Sequence, residues 1–196
     1  MLVGNFSFFA LAFRMKYINR WGLMRNIRHE NLTEHSAECA MLSHALCEIG
    51  NKYFGKNYNS DRAAVCALYH DMSEIFTGDM PTPVKYFNDT IRDSYKQIEK
   101  DAADRALLKL PTELKESYAE IFGFEEDKEM KKIVKAADKL CAYLKCVEEY
   151  GNGNKEFKAA LASTEKALKE HAASCEELKR FLENIAGEFE KTLSDL

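Results

Sequence analysis

An all-α fold is predicted by three features of this 196-residue sequence. Helix breakers are scarce, with only three prolines and nine glycines. Alanine, glutamate, lysine and leucine, which favour helix, are plentiful. Apolar residues also recur at helical spacing, most clearly along Met130, Ile133, Val134, Ala137, Cys141, Leu144 and Val147. Hydrophobic residues make up 46% and charged residues 31%, too apolar for a disordered chain and too polar for a membrane protein. A chain of this length buries roughly 70% of its extended surface on folding, so a core forms without disulfide or metal staples.

The apolar start, Phe6 to Phe13, reads as a first core helix. No basic stretch precedes it, Arg14 and Lys16 follow at once, and it is far shorter than the ~20 apolar residues a bilayer requires. Asn19-Arg20-Trp21-Gly22 breaks the pattern as a turn. A second helix begins near Thr33, capped by Asn31 or Thr33. Gly50 to Asn59 reads as a surface loop. Ser60 or Asp61 caps a third helix that runs through Ile75 and stops at Gly78. Asp79-Met80-Pro81-Thr82-Pro83 reads as a rigid loop, because two prolines remove donors and push the preceding residues extended. Asn88 or Asp89 opens a long helix to about Leu110, Pro111-Thr112 starts another, and Gly123 ends it. After the striped helix, Gly151 to Asn154 turns the chain. Two more amphipathic helices follow, with Leu178, Phe181, Leu182, Ile185 and Phe189 on one face. No repeat, low-complexity stretch or composition break marks a second domain, so residues 1–196 read as one domain.

The formal charge is −4, with no basic stripe, and this argues against binding a nucleic-acid polymer by counterion release. The six cysteines, Cys39, Cys47, Cys66, Cys141, Cys146 and Cys175, form no C-x-x-C pair. They read as reduced core residues of a cytoplasmic protein.

Chemistry-bearing residues interrupt the apolar pattern at a few places. His70-Asp71 falls in the middle of the predicted third helix, and Glu74 shares their edge. The dipeptide is a weak motif by itself, and a helix-surface cluster with nothing bound remains an alternative. Asp138 interrupts the strongest stripe in the chain. A carboxylate on an inward face needs a cation, whether a metal or a snorkelling Lys135 or Lys139. His35 occupies the first turn of a helix whose inward line continues through Cys39, Leu42 and Leu46. The helix dipole there disfavours a charged imidazole and suits a neutral ligand. His35, His70, Asp71 and Asp138 together offer a mixed nitrogen and oxygen set, better matched to a divalent transition metal than to a thiolate-rich structural zinc site.

The order His35, His70-Asp71, Asp138 on a helical background resembles the HD-domain metal-dependent phosphohydrolases, which are helical bundles. A narrower resemblance is carried by Asn19-Arg20-Trp21, Arg28, Glu30 to Ser36, Tyr69 to Glu74, Thr77 to Phe87 and Ala137 to Lys145. Over residues 8–150 these are similar to the YfbR-type bacterial 5′-deoxynucleotidases, the Thr77 to Phe87 run being the most specific. Beyond Gly153 only general helical character remains, with the C-terminal helices 154–196 packing on the matched part.

The resemblance implies one divalent cation on His35, His70, Asp71 and Asp138, with Co²⁺ or Mn²⁺ foremost and Zn²⁺, Cu²⁺ or Fe²⁺ as alternatives. It implies hydrolysis of 2′-deoxyribonucleoside 5′-monophosphates and a homodimer. Arg20 then supplies a cationic fork for the phosphate, and Glu74 is the general acid/base. Substrate contacts fall to Arg20, Trp21, His35, Asp71, Asp79, Met80, Pro81 and Thr82. The Trp21 indole would exclude a 2′-hydroxyl, while Asp79 or Thr82 would bond the 3′-hydroxyl. Two other readings stay open. One is another HD-domain phosphohydrolase, acting on a nucleoside triphosphate, an alarmone or a cyclic nucleotide. The other is a non-catalytic helical adaptor whose histidines and aspartates are structural.

Overall fold

The stripe from Met130 to Val147 folds into the helix Lys128–Gly151, capped by Asp127, whose side chain accepts the Met130 N–H. A second long helix, Leu32–Phe54, starts at Asn31. The Asn31 side chain accepts from Thr33 and Glu34, and Glu34 reaches back to the Asn31 N–H. This capping box stabilises the helix start by about 1 kcal/mol. The computed structural model describes residues 6–85 and 87–195; Tyr86, quoted in the resemblance, lies outside them. In chain order the described residues form ten α-helices. They are α1 (Phe8–Ala12), α2 (Leu32–Phe54), α3 (Ser60–Tyr69), α4 (Glu74–Thr77), α5 (Thr82–Lys85), α6 (Asp89–Leu107), α7 (Thr112–Phe122), α8 (Lys128–Gly151), α9 (Lys158–Ala172) and α10 (Glu176–Asn184). No strand forms among the described residues, and the fold is all-α as expected. One antiparallel bridge joins Asn19 to Asn31 and closes the segment between them.

Two apolar clusters organise the bundle. The larger gathers Cys39, Leu46, Ala63, Cys66, Ala67, Ile133, Leu140 and Leu178, where α2, α3, α8 and α10 meet. The smaller gathers Phe8, Met15, Leu32, Met72, Ala106 and Leu110 beneath the N-terminal helix. Along α2, Leu32 belongs to the smaller cluster and Cys39 to the larger, and His35 falls between them. Ala67 and Met72 flank His70-Asp71 in the same way. The polar residues therefore occupy the seam between two cores. All six cysteines are buried and free.

Several expectations need correction. Gly50 to Phe54 is not loop but the end of α2, which stops at Gly55 in the left-handed conformation (φ 64°). Gly50 is required by close approach: a Cβ there would lie 2.6 Å from the Tyr58 ring. The third helix does not run to Ile75, because its regular ladder ends at Tyr69. Pro83 sits inside the first turn of the short helix α5, where its missing N–H has no intrahelical partner to lose. The final apolar face is broken too. The helix α10 ends at Asn184, leaving Ile185 exposed just before, and Phe189 exposed within, the tighter 3₁₀ turn Ala186–Glu190.

Candidate metal centre

Three segments deliver the donors. His35 comes from the first turns of α2 and is fully buried. Past Tyr69 the chain winds with i→i−3 bonds, His70 to Ala67, Met72 to Tyr69 and Glu74 to Asp71. This tighter winding replaces the mid-helix placement expected for His70-Asp71. It carries the two side chains to one side, with His70 Nε2 3.1 Å from Asp71 Oδ2. Asp138 comes from the middle of α8.

His35 Nε2 lies 3.4 Å from Asp71 Oδ2 and 3.3 Å from Asp138 Oδ1. His70 Nε2 lies 4.0 Å from Asp138 Oδ1. Donor atoms of His35, His70 and Asp138 all fall within 4.8 Å of one another. Both Nε2 atoms are buried without a hydrogen-bond partner. His70 Nδ1 donates to the Ala67 carbonyl at 2.7 Å, which leaves the lone pair of its Nε2 directed at the carboxylates. Orphaned imidazole nitrogens facing two carboxylates fit a divalent cation, and the donor set contains no thiolate.

The two carboxylates are held in their charged form. Burial pushes Asp138 up, but the neighbouring His35 outweighs it and holds the carboxyl down at about 2. Burial acts on Asp71 in the same way, and His70 and His35 hold it well below the usual carboxylate range. The ion pairs of Asp138 run to Arg20, His35 and His70 rather than to Lys135 or Lys139. For His35, the expected depression by the helix dipole is overridden. Burial and the Arg20 charge push it down, yet the adjacent Asp138 and Asp71 leave it well above the ordinary histidine range.

Glu74 opens α4 and is only 6% exposed, so it is not a surface acid. Its Oε2 has no hydrogen-bond partner. Burial, reinforced by the Asp71 and Asp79 charges, pushes its carboxyl up to about 9, so it is neutral near pH 7.

Arg20 and Trp21 sit beside the donors on the segment closed by the Asn19–Asn31 bridge. Arg20 Nη1 donates to Glu30 Oε1 at 3.1 Å and lies 2.6 Å from His35 Nδ1, and its Nη2 lies 4.0 Å from Asp138. Trp21 is the only described non-glycine residue with positive φ (59°), a conformation that costs about 1 to 3 kcal/mol. Its N–H donates to Asp79 Oδ2 at 3.3 Å and its indole Nε1 to Glu30 Oε2 at 2.9 Å. The indole also packs against the buried Phe157, with ring centroids 5.4 Å apart. Met80 and Pro81 are half-buried in the loop beyond Asp79, and Thr82 is exposed at the start of α5.

Sequence reasoning missed the residues that hold this segment in place. Glu149 on α8 accepts from the Ile27 and Arg28 N–H groups and from Asn154. Lys145 donates to Glu149 and to the Arg28 carbonyl, both at 2.6 Å. Cys141, Lys145 and Glu149 lie four residues apart on the striped helix, so a charged pair on a buried line was there to be read. Glu30 and Phe157 gave no such signal, since their partners are fixed by tertiary contact.

A helical bundle in which two histidines and two aspartates meet at the seam between two cores has the layout of the HD-domain metal-dependent phosphohydrolases. Solved structures agree on the fold. An HD-domain phosphohydrolase from Listeria innocua aligns with TM-score 0.81 over 95% of this chain and 90% of that one, at 22% identity. The cyanophage S-2L HD phosphohydrolase DatZ, a structure bound to dA and one catalytic Zn²⁺, aligns with TM-score 0.61 over 91% and 96%, at 20% identity.

A family model for 5′-deoxynucleotidase YfbR-like proteins matches residues 7–189. The 5′-deoxynucleotidase of Erwinia tasmaniensis is 47% identical over 190 residues, 96% of this chain and 95% of that protein. The 5′-deoxynucleotidase YfbR of Escherichia coli is 46% identical over 190 residues, covering 96% and 94%. The chain belongs to the YfbR-like 5′-deoxynucleotidase family. The match also runs well past Gly153, where sequence reading found only general helical character.

Proposed function

We propose that the protein hydrolyses 2′-deoxyribonucleoside 5′-monophosphates to the deoxynucleoside and phosphate, with residues 1–196 acting as one domain. The carrying observation is a donor cluster of His35, His70, Asp71 and Asp138 in a chain matching 5′-deoxynucleotidases along nearly its full length. A divalent cation held there would lower the pKa of a water and polarise a phosphoryl oxygen. The two carboxylates offset its double charge, so a phosphate dianion can still approach. Arg20 adds a fixed guanidinium beside the cluster for the remaining phosphate oxygens. Glu74, neutral in its buried setting, has a proton to give the leaving 5′-oxygen. Trp21 forms the wall that excludes a 2′-hydroxyl. Asp79, tied to the Trp21 backbone, lies next to it for the 3′-hydroxyl, with Met80, Pro81 and Thr82 continuing that wall.

Co²⁺ or Mn²⁺ is the proposed cation, supported by donors that are all imidazole or carboxylate. A cytoplasmic setting is supported by six buried, free thiols. No described helix is long and apolar enough to cross a membrane. A homodimer is supported by exposed apolar side chains near the N-terminal helix, with Phe13 71% and Leu108 69% exposed. The deciding experiment is a phosphate-release panel of 5′- and 3′-monophosphates, ribo and deoxy, with Co²⁺, Mn²⁺, Zn²⁺ or Mg²⁺ added. Preferential release from deoxy 5′-monophosphates is expected. Equal release from ribonucleotides, or none from any monophosphate, would overturn the reading.

A further inference from the structure

Glu30 is a buried carboxylate, 6% exposed, placed directly before the Asn31 cap of α2. Its two oxygens are divided between two neighbours. Oε1 accepts from Arg20 Nη1 at 3.1 Å and Oε2 accepts from Trp21 Nε1 at 2.9 Å. Its backbone carbonyl accepts the Arg20 N–H at 2.9 Å, and Oε1 also lies 3.6 Å from His35 Nδ1. A buried carboxylate that served only to neutralise Arg20 would turn both oxygens to the guanidinium fork. Here the second is spent on an indole that already sits in a strained backbone conformation.

We propose that Glu30 is a positioning residue that locks the phosphate-facing Arg20 and the sugar-facing Trp21 into one rigid unit. The inference rests on the proposed roles of those two residues. The unit is anchored to the α2 N-terminus and so to His35, which fixes the distance between the phosphate grip and the sugar wall. Selectivity for the deoxy sugar then depends on Glu30 as much as on the indole, although Glu30 itself touches no substrate.

Glu30→Gln tests this, because an amide keeps one acceptor and replaces the other with a donor. It can satisfy Arg20 or Trp21 but not both. The expected result is a roughly 10- to 100-fold drop in kcat/KM for dAMP. The dAMP-to-AMP ratio should fall towards that of Trp21→Ala, and the Glu30→Gln/Trp21→Ala double variant should show no further fall in that ratio. Trp21 is the only tryptophan in the chain, so its fluorescence reads the contact without any turnover. In Glu30→Gln the emission should shift and acrylamide quenching should rise, with Co²⁺ binding retained. An unchanged ratio in Glu30→Gln, beside a collapsed ratio in Trp21→Ala, overturns the proposal; so does unaltered emission if the variant is too poorly active to assay. If Trp21→Ala itself leaves the ratio unchanged, the sugar-wall reading fails, and the fluorescence result still decides whether Glu30 holds the indole.

Discussion

His70 Nε2 and Asp71 Oδ2 lie 3.1 Å apart although the two residues are sequence neighbours. Ideal helical neighbours point about 100° apart, and the end of α3 at Tyr69 removes that divergence. Both side chains therefore face the space that His35 and Asp138 also line.

Cation binding should stabilise the fold, by about 2.7 kcal/mol when the metal is at 100 times its Kd. Asp138→Asn removes one charge and one strong oxygen donor. A thermal shift with added Co²⁺ or Mn²⁺ is expected in the wild type and should be largely lost in this variant. A full shift in Asp138→Asn would mean that α8 contributes no ligand.

Glu74→Gln should lower dAMP turnover by roughly 100- to 10,000-fold while metal stoichiometry stays the same. Undiminished turnover with metal bound would remove the acid/base assignment.

The Glu74 carboxyl, at about 9 in the folded chain, stands near 4.3 in an unfolded one. Between these values the native state keeps a proton the unfolded chain has released. Stability should then fall as pH rises, by up to about 1.4 kcal/mol per unit. His35 and His70 are also raised and act in the same sense, so a comparison with Glu74→Gln isolates the carboxyl. In metal-free protein the stability advantage of Glu74→Gln should grow from about pH 5 to about pH 8 in chemical denaturation. A constant difference would mean the carboxyl titrates normally.

Trp21→Ala should narrow the gap between dAMP and AMP rates, by up to roughly 100-fold, the scale on which a pocket rejects one added hydroxyl. Steady-state rates on the two nucleotides provide the check.

Burial pushes Glu149 up, but Lys145, Asn154 and the Ile27 and Arg28 amides hold it at about 2. That contribution is complete above the ordinary carboxylate range and is lost as pH falls from about 4.3 towards 2. Glu149→Ala strands the buried Lys145 and should cost about 3 to 5 kcal/mol. Hydrogen exchange at Ile27 and Arg28 should quicken in a Glu149→Gln variant even where activity survives.

The long helices were readable because their signals are local. Asn31 caps α2 and Asn88 caps α6 through bonds to amides two or three residues away, and the α8 stripe repeats from Met130 to Val147. The break after Tyr69 was not readable. His70, Asp71 and Ser73 have nothing in their propensities that forbids helix, while Ala67 and Met72 on either side pack into different clusters, a tertiary relation. The final face failed for a related reason: Phe189 has the right spacing, but α10 ends before it and its ring, 6.3 Å from Phe181, stays half exposed.

What the sequence determined by itself was the inventory: an all-helical chain carrying two histidines and two aspartates at positions where apolar residues would otherwise stand. Only the tertiary structure decided that these donors share one seam, that Glu74 is buried with its carboxyl pushed up, and that Glu30 divides its oxygens between Arg20 and Trp21. Caps and stripes are set by neighbours along the chain. The burial and charge that tune a carboxyl come from segments tens of residues away, brought together only by packing.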